Sequence, residues 1–436
     1  MSFHSRTVAL RSIGCRTNQE EMNSLQSNLI SAGYSIVEDL GDAQIVIVNT
    51  CSVTSCTESK TRRFLHSVSR KSPQSQILVT GCFAQQLGTE IGRIPGVKWV
   101  VGNGEKHRIV TILQSCSDGL FFSDIVNRKS LPADFDVNTA SISYRTRFPL
   151  KIQEGCDFQC AYCIVPSLRG RSRSASLEKL IETFRRAVES GYKEVVLTGT
   201  HIGQYRNPEG TEGLYGLLEK FLEIPGDFRI RLSSLDPRDL TDSLVDLVGE
   251  EKKICRHLHV SLQSLKSDVL ASMRRPYHNI DELVERLASF RRRYPIAGLG
   301  ADFIVGFPGE TDEMFRTTLE RVKGVGFTYG HVFRYSKRPG TIAAGFESQV
   351  PEKVKSERSE MLRDELSRSR NEFLCSLSGN TLRIIVEKKW PVRGTADNYA
   401  KIEVPRLRAV RNSWMSVQVS TRMQGGYCLA ENPDGE

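Results

Sequence analysis

From residue 7 to residue 336 the chain alternates short apolar runs with amphipathic stretches, and this alternation limits the possible folds more than any other feature. Apolar runs of strand length lie at 7–14, 43–50 and 76–81. The segments between them carry apolar side chains three or four residues apart, as helices do. A β-α-β-α-β order of this kind predicts a parallel sheet covered by helices.

The same alternation recurs with greater regularity from residue 148. One predicted helix starts after an N-cap at Ser176 and stops at Gly191. Six β-α repeats predict a partial (β/α)6 barrel, in which a functional site lies at the C-terminal ends of the strands. The six strand-like runs are "PLKIQE", "EVVLTGTHI", "RIRLSSLDP", "HLHVSLQS", "ADFIVGFPG" and "GHVFRYS".

The last part of the chain has a different pattern. "LRIIVEKKW", "NYAKIEV" and "SWMSVQVS" alternate apolar and polar residues with period two, which predicts a small antiparallel β-barrel. The polar segment 126–147 has no steady period, and we interpret it as a linker. The predicted fold class is α/β, with units at 1–125, 148–373 and 374–436.

The charge balance and the cysteine content narrow the class of protein. Lys and Arg number 60 against 51 Asp and Glu, and the net charge of +9 favours a polyanionic partner such as nucleic acid over an inert basic surface. The first residues lack a signal-peptide pattern and no window has the length of a membrane span, so we expect a soluble cytosolic protein without a membrane partner. Eleven cysteines then indicate metal or redox chemistry, because cytosolic thiols stay reduced.

Three of these cysteines stand close together in "GCDFQCAYC". Cys156, Cys160 and Cys163 have the spacing C-x3-C-x2-C, whereas a zinc ribbon needs a second ligand pair that is not nearby. Three thiolates in a tight loop suit a four-iron cluster, one iron of which stays open to a chelating small molecule. A structural zinc site and buried free cysteines are the alternatives.

A second set of cysteines is spread through the N-terminal unit. Cys15, Cys51 and Cys82 each follow one of its three predicted strands. Positions that follow successive parallel strands share one edge of the sheet, so these thiolates are expected to converge. The hypothesis is a second three-cysteine cluster, and the alternative is three independent buried cysteines. The other cysteines have no partner at ligand spacing and receive no role: Cys56, Cys116, Cys255, Cys375 and Cys428.

The segment "CDFQCAYC" resembles the signature of the radical S-adenosylmethionine superfamily. The resemblance implies that the open iron of a 4Fe-4S cluster binds S-adenosylmethionine, which is cleaved to a 5′-deoxyadenosyl radical. It also implies cofactor contacts from the aromatic residue before the last cysteine and from residues at strand ends. The residues at those positions are Tyr162, Thr198, Gly199, Thr200, Gln263 and Gly306.

Upstream of that signature, "GCRTNQEE", "NTCSVTSCTESKTR" and "GCFAQ" resemble the methylthiotransferase family, and the resemblance covers essentially the whole chain. It implies a three-layer α/β methylthiotransferase domain whose cysteines hold an auxiliary 4Fe-4S cluster that supplies or carries sulfur. It also implies that the C-terminal barrel, with "RGTADNYAKIEV", is a TRAM-like domain that binds RNA. One S-adenosylmethionine would methylate the sulfur, and a second would give the radical.

Relatives in this family modify tRNA adenosine or a ribosomal-protein aspartate. "GFPGETDE" and "GHVFRYSKRPGT" are most similar to the branch that adds methylthio at C2 of N6-threonylcarbamoyladenosine, beside the anticodon of tRNA. N6-isopentenyladenosine and the aspartate are the alternative substrates. A non-catalytic RNA-binding iron-sulfur protein is the rival from another class. A cobalamin-dependent methylase is disfavoured, since none of the eight histidines has an Asp two positions before it.

This interpretation carries expectations about partners and geometry. The partners are the tRNA anticodon stem-loop, an electron donor such as flavodoxin or ferredoxin, and a sulfur donor that the sequence does not identify. Arg334 and Arg338 are predicted to meet the threonyl carboxylate, because guanidinium pairs well with that group. Both cysteine sets must serve one cavity, so the C-terminal strand edges of the two α/β units are expected to face each other.

Overall fold

A computed structural model describes three successive units of the chain. The described residues are 6–14, 16–52, 55–115, 117–125, 146–208, 210–275, 277 and 279–431. Cys15 and nearly all of the predicted linker 126–147 lie outside them. Among the residues that are described, none of the helices has the length and apolar character needed to cross a membrane.

The N-terminal unit is a parallel sheet with helices on both faces. Its strands are β1 (Thr7–Ile13), β2 (Ser35–Ile36), β3 (Ile45–Thr50), β4 (Gln76–Gly81), β5 (Val97–Val101) and β6 (Gly119–Phe121), and its helices are α1 (Arg16–Ser31), α2 (Ser55–Lys71), α3 (Cys82–Ile91) and α4 (Ile109–Ser115). The strand order is β2-β1-β3-β4-β5-β6. The three predicted strands are confirmed as β1, β3 and β4, and the shorter β2, β5 and β6 extend the sheet.

The burial of β3 explains why this sheet has three layers. Every residue of "IVIVNT" is buried, as expected for a central parallel strand. Val46 and Val48 pack on one face with Leu65 of α2, and Ile45 and Ile47 pack on the other face. Side chains alternate between the faces of a strand, so one apolar run supplies two cores.

The central unit is the predicted partial barrel. Its elements are β7 (Arg147–Lys151), β8 (Gln153–Glu154), α5 (Val165–Arg169), β9 (Arg173–Ser174), α6 (Leu177–Glu189), β10 (Glu194–Thr198), α7 (Leu214–Leu222), β11 (Arg229–Leu232), α8 (Asp242–Glu250), β12 (His257–Gln263), α9 (Ser267–Ser272), α10 (Ile280–Arg293), β13 (Gly298–Val305), α11 (Asp312–Val325), β14 (Tyr329–Arg334) and α12 (Glu352–Ser376). Parallel pairing gives the orders β11-β10-β7 and β12-β13-β14. Parallel bridges from Ile230 to Ile254 and from Leu235 to Val260 connect the two halves.

Local sequence signals set the helix ends in this unit. The Ser176 hydroxyl accepts from the Lys179 amide at 3.4 Å and caps α6, as predicted. Gly191 follows the helix with a φ of 88°, a left-handed conformation that glycine adopts without strain. The helix therefore turns back toward β10 where the sequence pattern placed its end.

The C-terminal unit is a closed five-stranded barrel. Its strands are β15 (Thr381–Lys389), β16 (Val392–Ala396), β17 (Lys401–Val404), β18 (Trp414–Gln424) and β19 (Tyr427–Glu431), in the order β15-β16-β17-β19-β18. Its pairs are antiparallel except β17 with β19, which are parallel, so the predicted all-antiparallel pairing needs this correction. Phe373 and Leu374 at the end of α12 belong to its core.

This small barrel closes the amino-terminal end of the partial barrel. The fully buried Arg231 of β11 donates to the carbonyl oxygens of Ala396 and Asp397, both at 2.9 Å. Glu194 at the start of β10 accepts from the same guanidinium at 2.7 Å. A buried charge needs such partners, and this one finds them in both units. The opposite end of the partial barrel faces the N-terminal unit.

Candidate active site

Two of the predicted N-terminal cysteines lie at one edge of the first sheet. In the parallel register Thr50 of β3 is the partner of Gly81 of β4. Cys51 and Cys82 are the next residues, so they leave adjacent strands at the same level. Both are buried. Cys15, the third predicted ligand, lies outside the described residues.

The chain just before Cys15 passes close to Cys51. A Cβ on Gly14 would lie 2.5 Å from the Cβ of Cys51, so only glycine permits this approach. Gly81 has a φ of 100°, and its Cβ position lies 2.2 Å from the Thr50 carbonyl oxygen. Glycine at both positions allows the strand ends to converge.

The second cysteine set lies on the loop between β8 and α5. The Cys163 amide donates to the Cys160 carbonyl oxygen at 3.0 Å, which folds the loop into a turn. Cys160 is buried, and Cys156 and Cys163 are partly buried. Burial raises the pKa of the Cys163 thiol to about 12. A metal that binds this sulfur therefore has to displace its proton.

Two polar side chains approach the sulfurs of this loop. Nδ1 of His201 lies 3.9 Å from Sγ of Cys156, and Nη1 of Arg275 lies 3.7 Å from Sγ of Cys160. Arg275 is itself held by Asp236 at 2.7 Å. Three soft ligands on one turn, with N–H groups around the sulfurs, fit a 4Fe-4S cluster.

Neither of these two polar residues was selected from the sequence. His201 ends the run "LTGTH", from which three other residues were chosen, so its position after β10 was a usable signal. Arg275 follows α9 and reaches the cysteine loop through tertiary packing. No pattern in the sequence around it indicates that contact.

Three of the predicted cofactor-contacting residues lie at the end of β10 or directly after it, beside the cysteine loop. The Thr200 hydroxyl accepts from the Gly155 amide at the start of that loop, at 3.2 Å. A Cβ on Gly199 would lie 2.9 Å from the Gln153 carbonyl oxygen, so glycine lets the two segments meet. Thr198 is buried, and its hydroxyl has no hydrogen-bond partner among the described residues.

The other predicted residues lie at neighbouring positions of the same barrel end. Gln263 ends β12 and Gly306 follows β13, with positive φ angles of 66° and 69°. That conformation is strained for glutamine, and such strain collects at functional sites. Tyr162 packs against the barrel core, and burial raises the pKa of its hydroxyl. The cofactor contacts of these residues stay predictions.

The two cysteine-bearing edges meet. Cys82 shares an apolar cluster with Ile164 and Leu168, which follow Cys163 in the chain. Nδ2 of Asn103 donates to the Leu168 carbonyl oxygen at 2.8 Å and lies 3.7 Å from Sγ of Cys82. The C-terminal strand edges of the two sheets therefore face each other, as expected. Asn103 follows β5. Residues that follow successive parallel strands lie at one edge of the sheet, so the argument that brought the cysteines together applies to Asn103 as well.

A buried network of ion pairs fastens the two units beside this contact. Arg169 of α5 donates to Glu21 of α1 at 2.7 Å and to Glu154 at 2.9 Å. Nζ of Lys151 lies 3.4 Å from Glu21 and 3.1 Å from Glu154. Burial opposes the ionisation of both carboxyl groups, but the neighbouring cations outweigh it and hold the pKa of each below its usual range.

The two arginines predicted to meet the threonyl carboxylate have other partners. The Arg338 side chain is 4% exposed and forms an ion pair with Glu58 of α2. It also donates to the Ser52 hydroxyl at 3.1 Å, so it lies in the contact between units. Arg334 ends β14 and lies 3.9 Å from Glu352 of α12. The predicted contact of these two arginines with the substrate stays a prediction.

A cavity of about 310 Å³ opens where the three units meet. Its size lies at the lower end of the roughly 300–1,000 Å³ typical of ligand sites. Thr198 at the end of β10 forms part of the wall, so the cavity borders the predicted cofactor residues. Gln19 of α1 and Glu387 and Arg411 of the C-terminal barrel form other parts. Every unit thus contributes to one space.

Two family models match separate parts of the chain. Residues 7–102 match the uncharacterized protein family UPF0004, and residues 150–322 match the radical SAM superfamily. The first range covers most of the N-terminal sheet, and the second covers most of the partial barrel. The radical SAM methyltransferase TsrM from Kitasatospora setae aligns with a TM-score of 0.57 and 16% identity over 78% of this chain and 77% of that chain, which shows a shared fold.

Named relatives extend over nearly the whole chain. The threonylcarbamoyladenosine tRNA methylthiotransferase MtaB of Thermotoga maritima is 35% identical over 99% of both chains. MtaB of Bacillus subtilis is 35% identical over 91% of this chain and 90% of its own. The tRNA-2-methylthio-N(6)-dimethylallyladenosine synthase of Erythrobacter litoralis is 33% identical over 88% and 87%. The chain therefore belongs to the radical S-adenosylmethionine methylthiotransferase family.

Proposed function

We propose that this chain is a tRNA methylthiotransferase that replaces the C2 hydrogen of N6-threonylcarbamoyladenosine, beside the anticodon, with a methylthio group. The observation that carries the proposal is the packing of Cys82 against Ile164 and Leu168, which brings the N-terminal sheet edge and the segment after the barrel cysteine loop to one interface. Sulfur insertion at an unactivated carbon needs a radical source and a sulfur source positioned around one substrate atom. The names of the relatives support tRNA and this nucleoside as the substrate.

The cofactors of this family are S-adenosylmethionine and 4Fe-4S clusters. When bound, they supply the 5′-deoxyadenosyl radical at one cluster and the sulfur at the other. The chain offers one set of ligands on the barrel loop and one at the edge of the N-terminal sheet. The proposed ligands are Cys156, Cys160 and Cys163 for the radical cluster, and Cys15, Cys51 and Cys82 for the auxiliary cluster.

The residues around the ligands orient them and exclude water. Arg275 directs an N–H group toward the Cys160 sulfur, and His201 places its Nδ1 beside the Cys156 sulfur, which orients both sulfurs. Thr200 holds the start of the loop against the end of β10. Asn103 holds the two edges together. A buried frame of this kind keeps both reacting groups in place without reorganisation.

The remaining parts of the proposal concern the partners. The C-terminal barrel and the +9 charge suit the tRNA backbone, and salt should weaken that binding. A purine in an anticodon loop is not fully paired, so moving it into the central cavity costs a few kcal/mol of unstacking. The electron donor is a low-potential carrier such as flavodoxin or ferredoxin, and the proposal does not specify what replenishes the sulfur. The enzyme works in the cytosol, where its tRNA substrate resides.

Nucleoside mass spectrometry of tRNA tests the proposal directly. Cells that lack this protein should accumulate N6-threonylcarbamoyladenosine and lose its 2-methylthio form. Plasmid-borne wild type should restore the product, and Cys160→Ala should not. Cys375→Ala is the matched control, because Cys375 is exposed on α12; it should restore the product fully.

Two outcomes would contradict the substrate assignment. If the methylthio group disappeared from the isopentenyl nucleoside while the threonylcarbamoyl nucleoside was unaffected, the chain would act on the sister substrate. If neither nucleoside changed, and the reduced protein made no 5′-deoxyadenosine from S-adenosylmethionine, the chain would be an RNA-binding iron-sulfur protein.

A further inference from the structure

The inner face of β14 carries two side chains that the chemistry described so far does not use. The His331 side chain is 56% exposed, and Phe333, two residues on, is 42% exposed. Val332, on the alternate face, is buried in the barrel core. Arg334 shares the face of Val332 and approaches Glu352 of α12. Because side chains alternate along a strand, His331 and Phe333 share the face turned away from α12.

His331 is held by a carboxylate in the barrel interior. Its Nδ1 lies 2.9 Å from Oδ1 of Asp302 on β13, and His259 of β12 places Nε2 3.0 Å from the same oxygen. Burial would raise the pKa of Asp302, but the hydrogen bonds from His259 and His331 outweigh it and hold the pKa well below its usual range. Asp302 is therefore a fixed anion that orients His331. With Nδ1 facing Asp302, Nε2 is the ring nitrogen left to bind a second anion.

The distance between His331 and the radical-cluster loop is about the length of one nucleoside. Along β12, His259 precedes Ser261, whose carbonyl oxygen accepts from Arg275 at 2.6 Å. Arg275 lies 3.7 Å from Sγ of Cys160. Two residues of strand span about 7 Å. If the C2 atom of the adenine lies beside the cysteine loop, the N6 substituent of the same base extends into the barrel toward His331.

The amino-terminal end of the barrel is closed below this group. Tyr399 of the C-terminal barrel packs on Tyr329 of β14, with ring centroids 5.3 Å apart. Nε2 of His257 and Nδ1 of His259 lie 2.8 and 2.7 Å from the Tyr329 hydroxyl oxygen. Among the described residues, these histidine and tyrosine side chains close the amino-terminal end of the barrel interior with polar groups. His331 and Phe333 are the exposed groups above it.

We propose that His331, oriented by Asp302, binds the carboxylate of the threonylcarbamoyl group through its Nε2–H, with Phe333 against the apolar part of that group. This inference rests on the proposed function and names the residues that recognise the N6 substituent. A charge-assisted hydrogen bond to a carboxylate suits the threonylcarbamoyl group and gives an isopentenyl group no partner. The site therefore selects by charge.

The test compares two anticodon stem-loops with the reconstituted holoenzyme. One carries N6-threonylcarbamoyladenosine and the other its carboxylate methyl ester, which differs only in charge and one methyl group. Wild type should prefer the acid at least 10-fold in kcat/KM. His331→Gln should lower kcat/KM for the acid by about 10- to 100-fold, mainly through KM, and change that for the ester less than about threefold.

Two variants complete the comparison. His66→Gln is the same substitution at an exposed histidine of α2 and should keep the wild-type preference for the acid. Arg334→Gln removes a positive charge from the adjacent outer face of β14 and should also keep it. Because each variant is judged by its own acid-to-ester ratio, partial loss of folding does not alter the conclusion.

Several results would overturn the inference. If His331→Gln kept the preference, or if Arg334→Gln abolished it, His331 would not bind the carboxylate. The His259, Asp302 and His331 atoms also lie within 4.8 Å of one another, as metal ligands do. Zinc retained at one equivalent by wild type and lost in His331→Gln would make His331 a metal ligand instead. If wild type modified neither stem-loop, the proposed function itself would fail, which is distinct from these results.

Discussion

Nδ2 of Asn103 donates to the Leu168 carbonyl oxygen at 2.8 Å across the contact between the N-terminal sheet and the partial barrel. The same nitrogen lies 3.7 Å from Sγ of Cys82. One side chain therefore connects the segment after the radical-cluster loop to a proposed auxiliary ligand. A shift of one sheet relative to the other would change the distance between Asn103 and Leu168.

Replacing this amide should uncouple radical formation from sulfur transfer. Asn103→Leu keeps the volume but leaves the Leu168 carbonyl unpaired, which costs about 1–3 kcal/mol at the interface. We expect the methylthio product to fall at least about 10-fold while 5′-deoxyadenosine formation changes less than about threefold. Liquid chromatography of both products from one reaction measures the ratio. Asn371→Leu, at an exposed position of α12, is the control; equal loss of both products would count against this role.

The two cysteine sets should bind iron independently. Replacing Cys156, Cys160 and Cys163 together by alanine should leave about four irons per chain, and so should Cys51→Ala with Cys82→Ala, because each set then loses one cubane cluster. Iron and sulfide analysis of anaerobically reconstituted protein gives the count. Cys375→Ala should keep about eight. Retention of all iron by either multiple variant would show that the cysteines replaced are not ligands.

Arg169 should contribute strongly to the docking of the two units. Arg169→Met leaves Glu21 and Glu154 buried with fewer cations, and breaking a buried pair in this way costs about 3–5 kcal/mol. Hydrogen exchange should therefore accelerate in α1 and α5 while β13 stays protected. Arg171→Met, two residues away and exposed, is the matched control. Unchanged exchange in both helices would mean that the network adds little to docking.

Glu20 should make the protein less stable as pH rises. Burial raises the pKa of Glu20 to about 7, above the 4.5 expected for the unfolded chain. The folded state then holds a proton that the unfolded state has released, so stability is full at low pH and falls as pH rises between these values. At 1.36 kcal/mol per pKa unit the loss from pH 5 to 8 is about 2–3 kcal/mol. Glu20→Gln should remove this slope in urea unfolding curves; an equal slope in both proteins would contradict the assignment.

Gln263 should be strained in its native conformation. Gln263→Gly relieves the positive φ, worth about 1–2 kcal/mol, and the variant should be at least as stable as wild type. If the side chain contacts S-adenosylmethionine, KM for that cofactor should rise in both Gln263→Gly and Gln263→Ala. Melting curves and initial rates of 5′-deoxyadenosine formation separate these effects. An unchanged KM in both variants would remove Gln263 from the cofactor site.

The sequence by itself determined the main strands, the ends of one helix and the grouping of the cysteines. These features depend on local physics: apolar runs set strands, Ser176 and Gly191 set the ends of one helix, and three cysteines on one loop need no distant partner. The convergence of Cys51 and Cys82 also followed from topology, because parallel strands end at one edge.

Only the tertiary structure decided which side chains surround these cysteines. Arg275 reaches Cys160 from a loop 115 residues away in the chain, and Asn103 reaches Leu168 across 65 residues. Arg334 and Arg338 were selected for the charge of their side chains, but strand alternation turns the first outward and an ion pair with Glu58 holds the second. The type of a residue gives the charge of its side chain. The direction and the partners of that side chain depend on packing between segments that are distant in the chain, and no local sequence pattern contains this information.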